Sequence, residues 1–178
     1  MSEQMQQPAT PGSRARSSRR IYEEGWTLGR REVFDELLAP EFAGHDPQDP
    51  FPERRGPMAG RETYEMYRRA FPDVRMVVDD VMEDGDRVAV RWHATGTHNG
   101  ELMGLAPTGR SVEVTGISID RWDGDRIAES WINWDTHGLL QQIGAAPAHG
   151  SLGEKVGIQM QRAVTRIARR RSGHTATH

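Results

Sequence analysis

A chain of 178 residues with a net charge of −3 suffices for one domain with a buried core and some residues to spare. Cysteine is absent, which excludes disulfides, thiolate metal sites and a cysteine nucleophile, and Lys155 is the only lysine, so Schiff-base chemistry would rest on that one side chain. Residues 1–20 carry +3 and residues 154–178 carry +5, leaving −11 for residues 21–153, an acidic body unsuited to the phosphates of nucleic acid. No run approaches the roughly 20 apolar residues of a membrane span, and no apolar signal core opens the chain, so a cytoplasmic location is expected.

Residues 1–16 are rich in Gln, Pro, Ser and Thr and read as a disordered tail. Ser17 or Ser18 is a candidate cap for a first helix bearing Ile21, Tyr22, Trp26 and Leu28. A second helix presents Val33, Phe34, Leu37 and Leu38 and stops before Pro40. Glu41 to Asp46 is a short extended piece, followed by a Pro-rich loop through Pro57. A third helix carries Tyr64, Tyr67, Ala70 and Phe71 at helical spacing.

The period then changes to two. Val74, Met76 and Val78 alternate in one strand, and Val88, Val90, Trp92 and Ala94 share a face of the next. Ser111 to Trp122 is a long strand, turned by Asp123-Gly124-Asp125 into a strand ending at Trp134. Gly96 and Gly116 are expected bulge or bend points. Thr136 to Ile143 is a short helix stopped by Gly144. Helices first and an antiparallel meander after predict an α+β fold, a curled sheet with helices packed on one face. The domain is expected over residues 17–146. Residues 147–178 form an extension in which Val156, Met160, Ala163, Val164 and Ile167 recur at helical spacing among arginines, an amphipathic basic helix with frayed ends around Arg169-Arg170-Arg171.

The run Glu129-Ser130-Trp131-Ile132-Asn133-Trp134-Asp135 carries the strongest functional signal. By strand alternation Glu129, Trp131, Asn133 and Asp135 share a face. A carboxylate in line with an amide and an indole, at the end of a sheet, reads as a general base in an apolar pocket, where burial raises a carboxyl pKa. The alternative is that Asp135 caps the helix after it. His45 and His98 are candidate pocket residues. Arg91 reaches a ligand only if the pocket side of its strand is the side opposite Trp92. No metal is expected: His45 and Asp46 are adjacent and diverge, and His93 and His98 fall on opposite strand faces.

His45-Asp46-Pro47, Phe71-Pro72-Asp73, Gly96 to Leu102, Pro107-Thr108-Gly109-Arg110, Asp123 to Trp131 and Asp135 to Gly144 occur in an order that resembles SnoaL-like proteins, the polyketide cyclase or ester cyclase family, over about residues 19–146. The resemblance implies the cone-shaped α+β barrel of nuclear transport factor 2-like proteins and ketosteroid isomerase. It also implies cofactor-free, metal-free intramolecular aldol closure of an aromatic polyketide in secondary metabolism, with Asp135 as the acid/base group. A histidine that assists in the family has no clear match here; Arg121 or Asn133 lies in its neighbourhood.

A cyclase with Asp135 as base, Asn133 or a histidine on the oxyanion and Trp131 stacked on the substrate is therefore expected. Two alternatives are carried: hydration, dehydration or epoxide opening in the same pocket, and a non-catalytic ligand-binding or dimerisation module. An Asp135 turned away to cap its helix, or a pocket too shallow for a tricyclic ring, would favour the module. A homodimer with facing sheets, using Val88, Val90, Trp92 and the C-terminal helix as apolar surface, is expected, without membrane contact through that helix.

Overall fold

The structure is a computed structural model and describes residues 12–174. Most of the expected disordered tail, residues 1–11, lies outside the described residues. Helix α1 (Ser13–Arg20) starts earlier than the cap residues suggested and runs directly into a π-helical stretch, Ile21–Thr27. Ser18 is therefore not a cap but a buried residue within α1. Helix α2 (Glu32–Leu37) ends where strand β1 (Leu38–His45) begins, and α3 (Gly56–Ala70) follows the Pro-rich loop. Strands β2 (Arg75–Asp84), β3 (Arg87–Thr97), β4 (Ser111–Asp123) and β5 (Arg126–Trp134) come next, then α4 (Thr136–Ile143) and α5 (Leu152–His174). The backbone of α5 stays helical through Arg169–Arg171, where fraying was expected.

The five strands form one sheet in the order β1-β5-β4-β3-β2. The α+β class matches expectation, but the sheet is mixed and not closed. The meander β2 to β5 is antiparallel, whereas β1 lies parallel to β5. Pro40 sits inside β1 without breaking it because β1 is an edge strand and its register shifts between Leu38 and Ala43. The pairing is unbroken at Gly96 and Gly116. The irregularities fall instead between Val78 and Asp80 and between Arg121 and Trp122. Gly116 is needed for a different reason: a Cβ there would lie 2.3 Å from the Trp92 ring, so the missing side chain is the space that the indole fills.

The helices cover the concave face of the sheet. Phe34, Leu37 and Tyr64 from α2 and α3 pack against Val88, Val90, Trp92 and Ile127. A second cluster, built on Phe71, Leu102, Val112, Leu139 and Ile143, closes the other end under α4. Val88, Val90 and Trp92, expected as exposed dimer surface, are thus core residues. On the opposite face Ile117, Ile119 and Met82 are exposed.

Candidate active site

Between the concave face and the helices lies an apolar cavity of about 190 Å³, walled by Trp26, Phe34, Phe42, Tyr67, Trp92 and Trp134. Strand parity decides which polar groups reach it. On β4 the inward residues are Val112, Val114, Ser118 and Asp120, and on β5 they are Ile127, Ser130, Ile132 and Trp134. Asp120 and Ser130 are direct partners across the two strands.

Asp120 lines this cavity and is only 3% exposed. The Ser130 hydroxyl donates to its Oδ1 at 2.7 Å, and the Ser18 hydroxyl donates to its Oδ2 at 2.9 Å. No cation pairs with it among the described residues. Burial drives its pKa up from the ordinary 3.8 to about 6, against the two serine donors, which favour the ionised form. Beside it, the Trp92 indole donates to the Ser118 hydroxyl at 3.0 Å. Tyr22 packs on Trp92, and burial together with the Asp120 charge raises the Tyr22 pKa, so the phenol keeps its proton.

A second carboxylate, Asp46, lines the cavity near Asp49 and Arg54. It accepts from the Trp134 indole at 3.2 Å and from the Gln48 backbone N–H at 2.8 Å. Burial raises its pKa despite these two donors, and neighbouring Asp49 adds to the rise. Tyr67 meets the Trp134 ring edge-on at 5.9 Å. Burial first, then the charges of Asp46 and Asp49, raise the Tyr67 pKa and hold it as a neutral phenol. Arg54 is already engaged, ion-paired to Glu62 at 2.6 Å and stacked 3.6 Å above Phe51.

The residues expected from sequence lie elsewhere. Asp135 is exposed and caps α4, its Oδ1 accepting from Gly138 N at 2.8 Å. Trp131 and Asn133 share its parity and face outward, as alternation predicted, but that side is not the cavity side. His45 stacks on Trp131 at 5.1 Å and meets Glu129 at 3.3 Å on the same outer face. Glu129 also accepts from Arg121, and Arg87 lies 5.1 Å over the Trp131 ring. Arg91 is outward too, 3.1 Å from Asp79, because Trp92 points in.

His98 is fully buried against Phe71 and is not part of the cavity wall. Its backbone N–H donates to Arg110 O, and its carbonyl accepts from Thr108 N and Gly109 N, so it pins the loop between β3 and β4. Among the described residues no three His, Asp or Glu side chains converge as metal ligands would.

Sequence reasoning did not bring Asp120 together with Ser18 and Ser130, and it set Asp46 aside. One signal was present. Ser118 and Asp120 share parity with Val112 and Val114, polar residues in an apolar register. Ile117 and Ile119 on the other parity masked it.

No curated protein matches the chain in sequence. Among solved structures, the fold superposes on AclR, a candidate hydroxylase from Streptomyces galilaeus, with a TM-score of 0.69 at 22% identity, covering 95% of this chain and 100% of that one. It is similar to IdmH, a candidate polyketide cyclase from Streptomyces antibioticus, with 32% identity and a TM-score of 0.64 over 74% of this chain and 99% of that one. A candidate polyketide cyclase from Acidithiobacillus ferrooxidans gives 30% identity and a TM-score of 0.68 over 78% and 99%. The family model for SnoaL-like polyketide cyclase matches residues 16–143, the segment that builds both the sheet and the cavity, and the chain belongs to that family.

Proposed function

We propose that this chain is a cofactor-independent cyclase that closes a ring in a carbonyl-bearing, polyketide-like substrate, with Asp120 as its acid/base group. The observation that carries this reading is a buried carboxylate in the wall of an apolar cavity, gripped by two hydroxyls and without a cationic partner among the described residues. The helix-capping Asp135 and the small cavity are the two features expected of a non-catalytic module, but a module has no use for a buried carboxylate of this kind, since an unpaired buried charge is costly. A base with a pKa near working pH repays that cost in rate.

In the proposed reaction Asp120 takes the proton from a carbon α to a carbonyl. The enolate carbon bonds to a second carbonyl carbon of the same molecule, and that oxygen becomes an alkoxide. Asp120 then returns the proton to the alkoxide, so product and substrate are isomers. Tyr67, a neutral phenol in the cavity wall, is placed to donate a hydrogen bond to developing oxygen charge. The volume suits one or two fused rings, since an engineered apolar cavity of about 150 Å³ holds benzene. A larger substrate would extend out of the cavity.

Asp135, the base expected by resemblance, remains a second candidate. It would have to release Gly138 N and turn from the outer face to act in the cavity. A reaction that needs only a base in an apolar cavity separates the two: ring opening of 5-nitrobenzisoxazole, in which a carboxylate takes the ring C–H proton, the N–O bond breaks and a coloured phenolate forms. Loss in Asp120→Asn with retention in Asp135→Asn supports Asp120; the reverse moves the base to Asp135. Oxygen-labelled water then tests the reaction class on a polyketide substrate. An unlabelled isomeric product fits ring closure, and incorporated label means hydration or epoxide opening.

For assembly we propose a cytoplasmic homodimer joined through the outer sheet face, with Ile117 and Ile119 at its centre. Val156, Met160 and Val164 of α5 are exposed on the single chain, which supports a partner rather than the body as their cover. Ile119→Asp should then lower the sedimentation coefficient to that of a monomer.

A further inference from the structure

Helix α1 has the sequence Ser-Arg-Ala-Arg-Ser-Ser-Arg-Arg and no large apolar side chain. Apolar burial begins only beyond it, with Tyr22, Ile21 and Trp26 of the π-helical stretch that continues the helix, and α1 itself gains no such hold. It is held by polar contacts instead. Arg14 donates to Gly85 O at 2.6 Å and to Gly124 O at 3.2 Å, bridging the turns of two hairpins. Ala15 N donates to Glu83 at 2.9 Å, and Arg19 donates to Val78 O at 3.3 Å. The one side chain that this docking buries completely is Ser18. A serine inside a helix ordinarily bonds back to its own helix or to water. Ser18 instead crosses 102 positions of sequence to reach Asp120.

We propose that α1 is a clasp whose purpose is to deliver Ser18 as a positioning residue for Asp120. The proposal rests on the reading of Asp120 as the acid/base group. Ser130 belongs to the sheet and is always beside Asp120, holding Oδ1. Ser18 holds Oδ2 from the polar helix α1, one turn before Tyr22 enters the core. With both in place the carboxylate plane is fixed and each oxygen keeps further acceptor capacity for a substrate proton. When Asp120 is protonated, the hydroxyls can rotate and accept, so the same two serines serve both forms. With α1 undocked, one donor is lost and the carboxylate turns freely about its remaining contact. The site is therefore complete only when the N-terminal helix is seated, which couples the cavity's chemistry to a segment far from it in sequence.

The test uses the full chain with Ser18→Ala and Arg14→Ala, the second loosening α1 without touching the site. Carbon-13-labelled aspartate gives the Asp120 titration midpoint by NMR, assigned by its disappearance in Asp120→Asn. Ring opening of 5-nitrobenzisoxazole gives the pH–rate profile. A hydrogen bond to a charged group is worth enough to move a midpoint by about one pH unit. Ser18→Ala should raise the midpoint, and with it the rising limb of the profile, by that amount. Arg14→Ala should move both the same way by less. An unchanged midpoint in both variants, with or without a lower melting temperature, makes Ser18 a structural contact only and overturns the proposal. If the midpoint moves but Asp120→Asn opens the probe at the wild-type rate, the clasp stands and the acid/base reading fails.

Discussion

Trp92 and Trp131 lie on strands either side of β4 and meet opposite environments. Trp92 is 5% exposed, donates its indole N–H to Ser118 and walls the cavity. Trp131 lies on the other side of the sheet between the His45 ring and the Arg87 guanidinium. The same contrast separates Asp120 from Asp135. One is enclosed with two hydroxyls and has its proton affinity raised; the other is solvated and caps a helix. Residue type is nearly the same on the two faces, and chemistry differs because the helices cover only one. A carboxylate becomes a useful base by losing its water, and only the covered face removes it.

The largest test of that contrast is kinetic. Asp120→Asn should slow ring opening of 5-nitrobenzisoxazole by about 10²–10⁴-fold, the usual contribution of a positioned base. Asp135→Asn should leave the rate unchanged in the same steady-state assay.

Stability should move the opposite way. The folded pKa of Asp120 is raised from 3.8 to about 6, so between those values the folded state holds more proton than the unfolded one. Stability from this group is therefore full below pH 3.8 and falls as pH rises through 6, by about 3 kcal/mol. Asn cannot ionise, and its amide can bond to both serines. Asp120→Asn should thus be more stable than wild type at pH 8, by up to about 3 kcal/mol, with the gap closing towards pH 4. Urea unfolding at the two pH values measures it.

Gly116→Ala should cost about 1–3 kcal/mol by crowding the Trp92 ring, read as a lower melting temperature. The smallest effect belongs to the outer face. Asp135→Ala removes the α4 cap and should cost about 1 kcal/mol in thermal unfolding, with the probe reaction untouched.

Much of the fold was legible. The switch from helical to twofold spacing after Pro72 and the Asp123-Gly124-Asp125 turn placed β2 to β5, because local sterics and one-sided burial decide those features. The parallel pairing of β1 was not legible, since Glu41 to His45 has no periodicity that names a partner strand. The cavity-facing side of β5 was misread for a related reason. On β5 both parities carry a tryptophan and a polar residue, Trp131 with Asn133 and Trp134 with Ser130, so alternation alone cannot choose the inner face. The register shift beside Trp122 then places Ile127 and Ser130 both inward, which no strict period predicts. Ser18 was legible only as a helix cap, because its partner lies 102 residues away. Family resemblance was the firmest signal for the overall fold and a weaker one for the geometry of the site.

Trp26, Trp92 and Trp134 line the cavity, Trp122 is in the core and Trp131 is on the outer face. The molecule therefore carries its own optical reporter. An aromatic guest would sit against three of the five indoles and quench their emission, while Trp131 would respond to a partner on the other side of the sheet. Cavity occupancy and association could be followed separately in one unlabelled sample, once Trp131→Phe has marked which part of the signal belongs to which face.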